Sequence, residues 1–305
     1  MGAWGTGLYS GDFAVDLKAA VSAVCRLPLA EEELVVALCR SHPAAAAEPA
    51  NEDHAVFWLV LADQFEKRRI FSPRVRGMAI AIIDEGKDGA LMQSLGMKPG
   101  GIRKRTANLA ELRARLAAQP EASAERKTIK APQPYVFELY GVYAYPMRGG
   151  EAINPYMTPK YFDRAAWRPD GHGLMLIVRR GRAFGYLSWY VAVKSTECLP
   201  AVPDRQALVG GVRWRNPIYG SCSRSHFRKL ELSELGVFSL DPTRVDHFFP
   251  HLAEGTVQAV CDISIANRMG LDRHPRRDPR RRPDGKVEPI VYPLAPNLVE
   301  LGTAQ

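Results

Sequence analysis

The apolar residues of this chain change their spacing once, across the segment PEASAERKTIKAPQP at residues 120–134. Before this segment they recur every three or four positions, which is the period of a helix buried on one side. After it, β-branched and aromatic runs alternate with turn residues, which is typical of strands. The segment itself contains three prolines and a single large apolar residue, a composition that predicts a linker. The sequence therefore predicts an α+β fold, with an all-α domain at 1–118, a linker at 119–134 and a mainly antiparallel β domain at 135–305.

The helical domain contains several helix-start signals. Ser72 followed by Pro73 predicts an N-cap with proline at the first helical position. Asp12 and Asn51 are of the residue types that cap helices, so we expect helices to follow each of them. The alanine-rich stretch 43–50 is expected to be a loop, and a last helix is expected over 103–118.

The β domain is expected to contain a hairpin. Its two strands are LMLIVRR and FGYLSWYVAV, and the turn is expected at the GRA between them, residues 181–183. Shorter strand candidates lie at 210–214, 226–232, 257–265 and 287–292, where β-forming residues are bounded by turn residues.

The chain begins MGAWGTG, which we interpret as a packed structural signature formed by Gly2, Trp4, Gly5, Gly7 and the helix start at Asp12. Glycine allows tight turns and close approaches, and a buried tryptophan removes a large apolar area from water. The alternative is a phosphate-binding turn before a helix. The segment lacks the lysine and the preceding strand of such a loop, so the structural role is favoured.

Two resemblances add to this interpretation. MGAWGTGLYSGDFAVDL, together with HAVFWLVLADQFEKRRIFSPRVRGMAIAIIDEG, resembles a bacterial family of unknown function over residues 1–118. GVYAYPMRGG is similar to a strand of a β-rich family grouped with the immunity proteins of bacterial polymorphic toxins, although Tyr140-Gly141 replaces that family's Gly-Asp. The second resemblance implies a bacterial interaction domain that recognises a protein, without a cofactor or catalytic set.

The formal charge of +8 is concentrated in one stretch, RHPRRDPRRR at residues 273–282. Six arginines and one aspartate give it +5 and leave +3 for the other 295 residues. Its prolines exclude a continuous helix, so we expect an Arg-rich loop at 272–285. Such a loop could contact a partner or phosphates, or it could be an idle solvated insertion. The arginines concerned are Arg273, Arg276, Arg277, Arg280, Arg281 and Arg282.

Two further groups of residues were considered as sites. Tyr143 and Tyr145 are two positions apart on one strand and therefore share a face, where they either pack in a core or contact a partner. Asp246, His247 and His251 form a weak candidate for metal binding, because Pro250 interrupts the helix that would align the two histidines. No metal site is expected.

The best functional interpretation is a cytoplasmic, non-enzymatic protein that recognises a protein partner, with a bacterial immunity-type, toxin-neutralising role as its specific form. No run of residues is apolar enough to span a membrane, and no cofactor is expected. Association with nucleic acid through the arginines is the first alternative, and an enzyme of unrecognised type is the second. The sequence leaves the oligomeric state open.

Overall fold

The computed structural model describes residues 5–152, 167–249 and 295–302. The chain divides into two compact units between Ala131 and Pro132, inside the segment predicted as a linker. The first unit is helical and the second is built on an antiparallel sheet, so the predicted α+β class is confirmed. The Arg-rich stretch lies outside the described residues.

Seven helices are described in the first unit, and α4 lies at its centre. Eleven of the 14 residues of α4 are buried, and α1, α3, α5, α6 and α7 pack against it. Such a helix is apolar nearly all round because it has neighbours on every side. The helices are α1 (Asp12–Val24), α2 (Glu31–Ser41), α3 (Pro43–Ala47), α4 (His54–Lys67), α5 (Pro73–Asp84), α6 (Lys87–Ser94) and α7 (Pro99–Ala118).

The segment after α7 is bound to the helical unit rather than free. The Arg126 guanidinium donates to the carbonyl of Cys25 at 2.8 Å and also to that of Leu29. The backbone N–H of Ile129 donates to the Arg26 carbonyl at 2.8 Å. Carbonyl groups at a helix end lack intrahelical partners, and Arg126 supplies donors to those that follow α1. Residues 119–131 therefore belong structurally to the first unit.

The described residues of the second unit contain one sheet whose strand pairs are all antiparallel. Its strand order is β2-β1-β3-β4-β5, and β6 also pairs with β1. Three short helices accompany the strands in this described part. In chain order the elements are β1 (Gly141–Arg148), β2 (Glu151–Ala152), β3 (Gly171–Ala183), β4 (Leu187–Ser195), α8 (Arg205–Gly211), β5 (Trp214–Gly220), α9 (Arg224–Lys229), β6 (Ser233–Val237) and α10 (Pro242–Phe248).

Alternate residues of β1, β3 and β4 enter opposite cores, so both faces of the sheet are buried along these strands. On one face Tyr143 and Tyr190 pack around Phe137. On the other face Trp214 packs with Leu208 of α8 and Val245 of α10. These three strands consequently contain near-continuous apolar runs, as expected where a sheet is covered on both sides, whereas β6 at the side of β1 is largely exposed.

The predicted helix boundaries need four corrections. The last helix, α7, begins at Pro99 instead of 103, with proline at its first position. Asp12 is the first residue of α1, and Gly11 holds the N-cap position. Asn51 precedes a turn in which its side chain accepts a bond from the backbone N–H of Asp53 at 2.9 Å, so α4 begins only at His54. Residues 43–47 form α3 rather than a loop, because proline at the first position and a run of alanines favour a helix.

The position of the hairpin turn and two of the short strand candidates were predicted wrongly. The hairpin turn lies at 184–186 instead of 181–183, since β3 continues to Ala183 and Phe184 adopts a left-handed backbone with φ of 52°. Of the candidate at 210–214 only Trp214 belongs to a strand, since residues 210–211 end α8, and the candidate at 226–232 is mostly helix and turn. The side chains of Asp204 and Ser223 cap α8 and α9. The candidates at 257–265 and 287–292 lie outside the described residues.

Candidate functional site at the N-terminal signature

The described part of the N-terminal signature forms a tight turn. The backbone N–H of Gly7 donates to the Ser10 hydroxyl at 3.2 Å, and the N–H of Ser10 donates to the Gly7 carbonyl at 3.2 Å. A Cβ atom placed on Gly5 would lie only 3.0 Å from that hydroxyl oxygen, so a larger residue there would displace Ser10. Gly2 and Trp4 lie outside the described residues.

A buried ion pair holds this turn against α7. The Arg105 guanidinium donates two hydrogen bonds to the Asp88 carboxylate, at 2.6 and 2.7 Å, and a third to the Gly7 carbonyl at 2.8 Å. Arg105 is 4% exposed and Asp88 is 1% exposed. A two-point guanidinium–carboxylate pair fixes both distance and orientation, so the position of Gly7 is tied to α6 and α7 together.

Tyr9 connects the same segment to α4. Its hydroxyl donates to the Asp63 carboxylate and accepts a hydrogen bond from the Gln64 amide. Asp63 also accepts from Lys67 at 2.7 Å and from Arg115 of α7 at 2.9 Å. Burial, together with the neighbouring Asp63, raises the pKa of Tyr9 well above its usual range. The segment is thus bonded to α4 through Tyr9 and to α7 through Gly7, and Arg105 links it further to Asp88 of α6, which supports the structural interpretation of the signature.

The turn also forms one wall of a pocket, which we call the signature pocket. Its floor is apolar and includes Phe13, Val56 and Met92, while Leu95 at its edge remains 44% exposed. Its walls come from the signature turn and from α1, α4, α6 and α7, with the loops before α4 and after α6. The described residues that line it are Leu8, Ser10, Gly11, Asp12, Phe13, Ala14, Glu52, Asp53, Val56, Leu91, Met92, Leu95 and Arg105.

Three of the residues that line the signature pocket carry carboxylates, and we call the solvent-facing side to which they belong its mouth. Asp12 and Glu52 are exposed and Asp53 is half-buried. Burial raises the pKa of Asp53, and the adjacent Glu52 carboxylate raises it further. On α1, burial and then the charge of Asp12 raise the pKa of Asp16. The mouth therefore carries like charges that repel one another.

The two tyrosines proposed as partner contacts are core residues. Tyr143 is 1% exposed and Tyr145 is 5% exposed, and both belong to the same buried cluster. The Tyr143 hydroxyl accepts the backbone N–H of Glu138 at 2.9 Å. Of the two roles considered for this pair, packing is the one that the structure supports, since neither ring is accessible to a partner. The six arginines proposed as contacts, residues 273–282, lie outside the described residues.

The described thiols are poor nucleophiles. Burial raises the pKa of Cys25 to about 11 and that of Cys222 to about 12. It also raises the pKa of Cys39 and Cys198 above the usual range. Because the thiolate is the reactive form, burial disfavours the reactive form of these four side chains.

The weak metal candidate is not assembled in the part of the chain that can be described. Asp246 pairs with Arg179 at 2.5 Å, while His251 lies outside the described residues. Among residues 5–152, 167–249 and 295–302, no group of three His, Cys, Asp or Glu side chains is placed to hold a metal ion.

Sequence reasoning missed the signature pocket because its lining comes from separate helices. Glu52 and Asp53 follow the predicted helix start at Asn51 and give no separate signal of a pocket, and α6, which contributes Leu91 and Met92, is not predicted by the sequence. Within the described residues, no helix combines the length and apolarity needed to cross a membrane. No family model, curated protein or solved structure matches the chain.

Proposed function

We propose that this protein recognises a protein partner through the signature pocket, in the cytoplasm, and that no covalent chemistry is involved. The observation that carries the proposal is an apolar pocket with an exposed leucine at its edge, surrounded by charged residues. Binding energy at protein interfaces is concentrated where an anchor side chain fills such a pocket, with a polar rim around it.

The pocket is supported by contacts that favour a fixed shape. Arg105 bonds to both Asp88 and Gly7, and Tyr9 bonds to α4. A site whose walls are already ordered loses little conformational entropy on binding, which strengthens association. The structural role of the signature and the recognition role of the pocket are therefore compatible.

An immunity-type, toxin-neutralising role is the specific form of this proposal. It is supported by the resemblance of residues 140–146 to a strand of an immunity-protein family. In this chain Tyr143 and Tyr145 of that strand are buried, so the resemblance concerns the framework of the second unit. The partner contact is proposed on the first unit.

Association with nucleic acid remains the alternative, and it rests on the sequence of residues 273–282 alone. If four to six of these arginines reach phosphates, the slope of log affinity against log salt on duplex DNA should be about −4 to −5. Replacing all six with serine should flatten that slope. Tight, loop-dependent binding at physiological salt would favour this alternative over protein recognition.

The test of the proposal compares two equally exposed apolar residues of the first unit. Leu95 lies at the pocket and is 44% exposed, whereas Val36 lies on α2, outside the pocket, and is 40% exposed. Wild type, Leu95→Asn and Val36→Asn are used to capture proteins from the native host, and each captured protein is purified and its affinity remeasured. We expect a partner whose affinity falls with Leu95→Asn and is unchanged with Val36→Asn. A purified partner that binds all three equally would contradict the pocket assignment.

A further inference from the structure

We infer that the partner inserts a lysine or arginine side chain, flanked by apolar residues, into the signature pocket. This inference rests on the proposed function and specifies the chemistry of the partner. It depends first on the combination of apolar residues with acidic groups in the lining. It depends also on the ion pairing of Arg105, which is the one cationic residue among the described lining residues.

The positive charge of Arg105 is already compensated within the protein. Its guanidinium gives two hydrogen bonds to Asp88 and one to the Gly7 carbonyl. A ligand carboxylate or phosphate would have to compete with a buried, two-point ion pair. Arg105 therefore fixes the wall and offers little attraction to an anion.

Apart from Arg105, the charged side chains among the described lining residues are all negative. The first turn of α1 lines the pocket, and Gly11 provides no side-chain cap for its N–H groups. A helix N-terminus is equivalent to about half a positive charge. Asp12, Glu52 and Asp53 together carry about three negative charges when ionised, so the carboxylates dominate. Burial raises the pKa of Asp53 most and the adjacent Glu52 carboxylate raises it further; a bound cation beside these two side chains would offset both effects.

The mixture of apolar and acidic residues in the lining suits a long amphipathic side chain. Lysine and arginine bury their methylene stems on apolar surface while the charged end reaches polar groups. Val56, Leu91 and Leu95 provide apolar contacts for the stem, and Glu52 and Asp53 lie at the start of α4 beside them. An apolar side chain would leave those carboxylates without a partner, and an acidic one would be repelled.

The experiment selects binding peptides with the full-length protein. A phage-displayed library of random peptides of about twelve residues is panned on the wild-type chain, and pocket-dependent clones are defined by loss of binding to Leu95→Asn. Synthetic peptides from these clones are then titrated against the double variant Glu52→Gln/Asp53→Asn. The control is Glu111→Gln, which removes an exposed carboxylate on α7 that does not line the pocket. The unfolding midpoint of every variant is measured to confirm that it is folded.

We expect the pocket-dependent peptides to share a lysine or arginine beside an apolar residue. Their affinity should fall about tenfold or more in the double variant, the scale of a close charge pair across an interface, and should be unchanged in Glu111→Gln. Pocket-dependent peptides without a cationic residue, or with unchanged affinity for the double variant, would overturn the inference and leave the proposed function intact.

Other occupants give different results. If no clone depends on Leu95, the proposed function fails and the inference fails with it. Clones that appear only when residues 1–4 are deleted would assign the pocket to the chain's own N-terminal segment. Self-association that is abolished by Leu95→Asn, measured by light scattering, would assign it to a second copy. Either result would overturn the inference.

Discussion

Replacing Arg105 with methionine is expected to destabilise the helical unit strongly. Methionine preserves the apolar stem but removes the three hydrogen bonds to Asp88 and Gly7. The Asp88 carboxylate, whose side chain is 2% exposed, would then be a buried charge without a partner. Breaking a buried ion pair on one side costs about 3–5 kcal/mol, which is a large part of the 5–15 kcal/mol that typically stabilises a domain.

The same helix offers a matched control. Arg113 also makes a two-point pair, with Asp84 at 2.6 and 3.0 Å, but both side chains are exposed. Water compensates each charge when the other is removed, so exposed pairs contribute little to stability. Arg113→Met should leave the unfolding midpoint almost unchanged, although its hydrogen-bond geometry resembles that of Arg105.

The free energy of unfolding of both variants is measured in urea, with the helical circular dichroism at 222 nm as the signal. A third variant, Arg105→Met/Asp88→Leu, replaces the whole pair with apolar groups and should recover most of the lost stability, since no buried charge is left alone. A cost below about 1 kcal/mol for Arg105→Met, or equal costs for Arg105→Met and Arg113→Met, would refute the argument that burial of this pair determines its contribution.

Four other predictions follow from particular residues. Phe184→Asn should raise the free energy of unfolding by about 0.5–1 kcal/mol, because asparagine tolerates the positive φ of this turn better than phenylalanine; a lower unfolding midpoint would contradict this. The folded state holds the Cys25 proton up to pH about 11, against about 9 in the unfolded chain, so the free energy of unfolding should decline between these pH values. This decline should be absent in Cys25→Ala when the free energy of unfolding is measured by urea titration at each pH. Trypsin should cut after Lys127 slowly in the native chain and faster in Arg126→Gln, because Arg126 binds this segment to the end of α1; equal rates on gels would show that the segment is free. Trp4→Ala, at a position outside the described residues, should cost about 3–5 kcal/mol if the indole is buried, and an unchanged melting temperature would exclude a structural role.

The sequence predicted those elements whose local signals agree with their environment. Ser72 caps α5 and accepts the N–H of Val75 as expected, because the serine-proline pair and the buried stripe point to the same start. The hairpin was located, but its turn was not. A glycine in GRA suggested the turn, whereas the structure places it where Phe184 and Gly185 both have positive φ. The register in which β3 pairs with β4 determines where the turn lies, and no local sequence signal specifies that register.

The linker prediction shows a different limit. Residues 119–131 have the composition of a flexible segment, yet Arg126 and Ile129 bind it to backbone groups near the end of α1. Those partners lie about one hundred residues earlier in the chain. The composition of a segment indicates how much conformational entropy it loses when it becomes ordered. Whether it becomes ordered depends also on unpaired backbone groups elsewhere in the chain, because hydrogen bonds to them can offset that loss.

The signature pocket could not be predicted for a related reason, and its construction separates two kinds of residue. Arg105 and Gly7 determine the shape of the wall, so changing them alters stability and recognition together. Leu95 and Glu52 are exposed at the mouth and bear little of the packing, so changing them should affect recognition alone. The N-terminal glycines belong to the first kind. A loss of binding after substitution of Gly5 or Gly7 would therefore say nothing about contact with a partner, and only variants at the mouth can distinguish a recognition site from a well-packed turn.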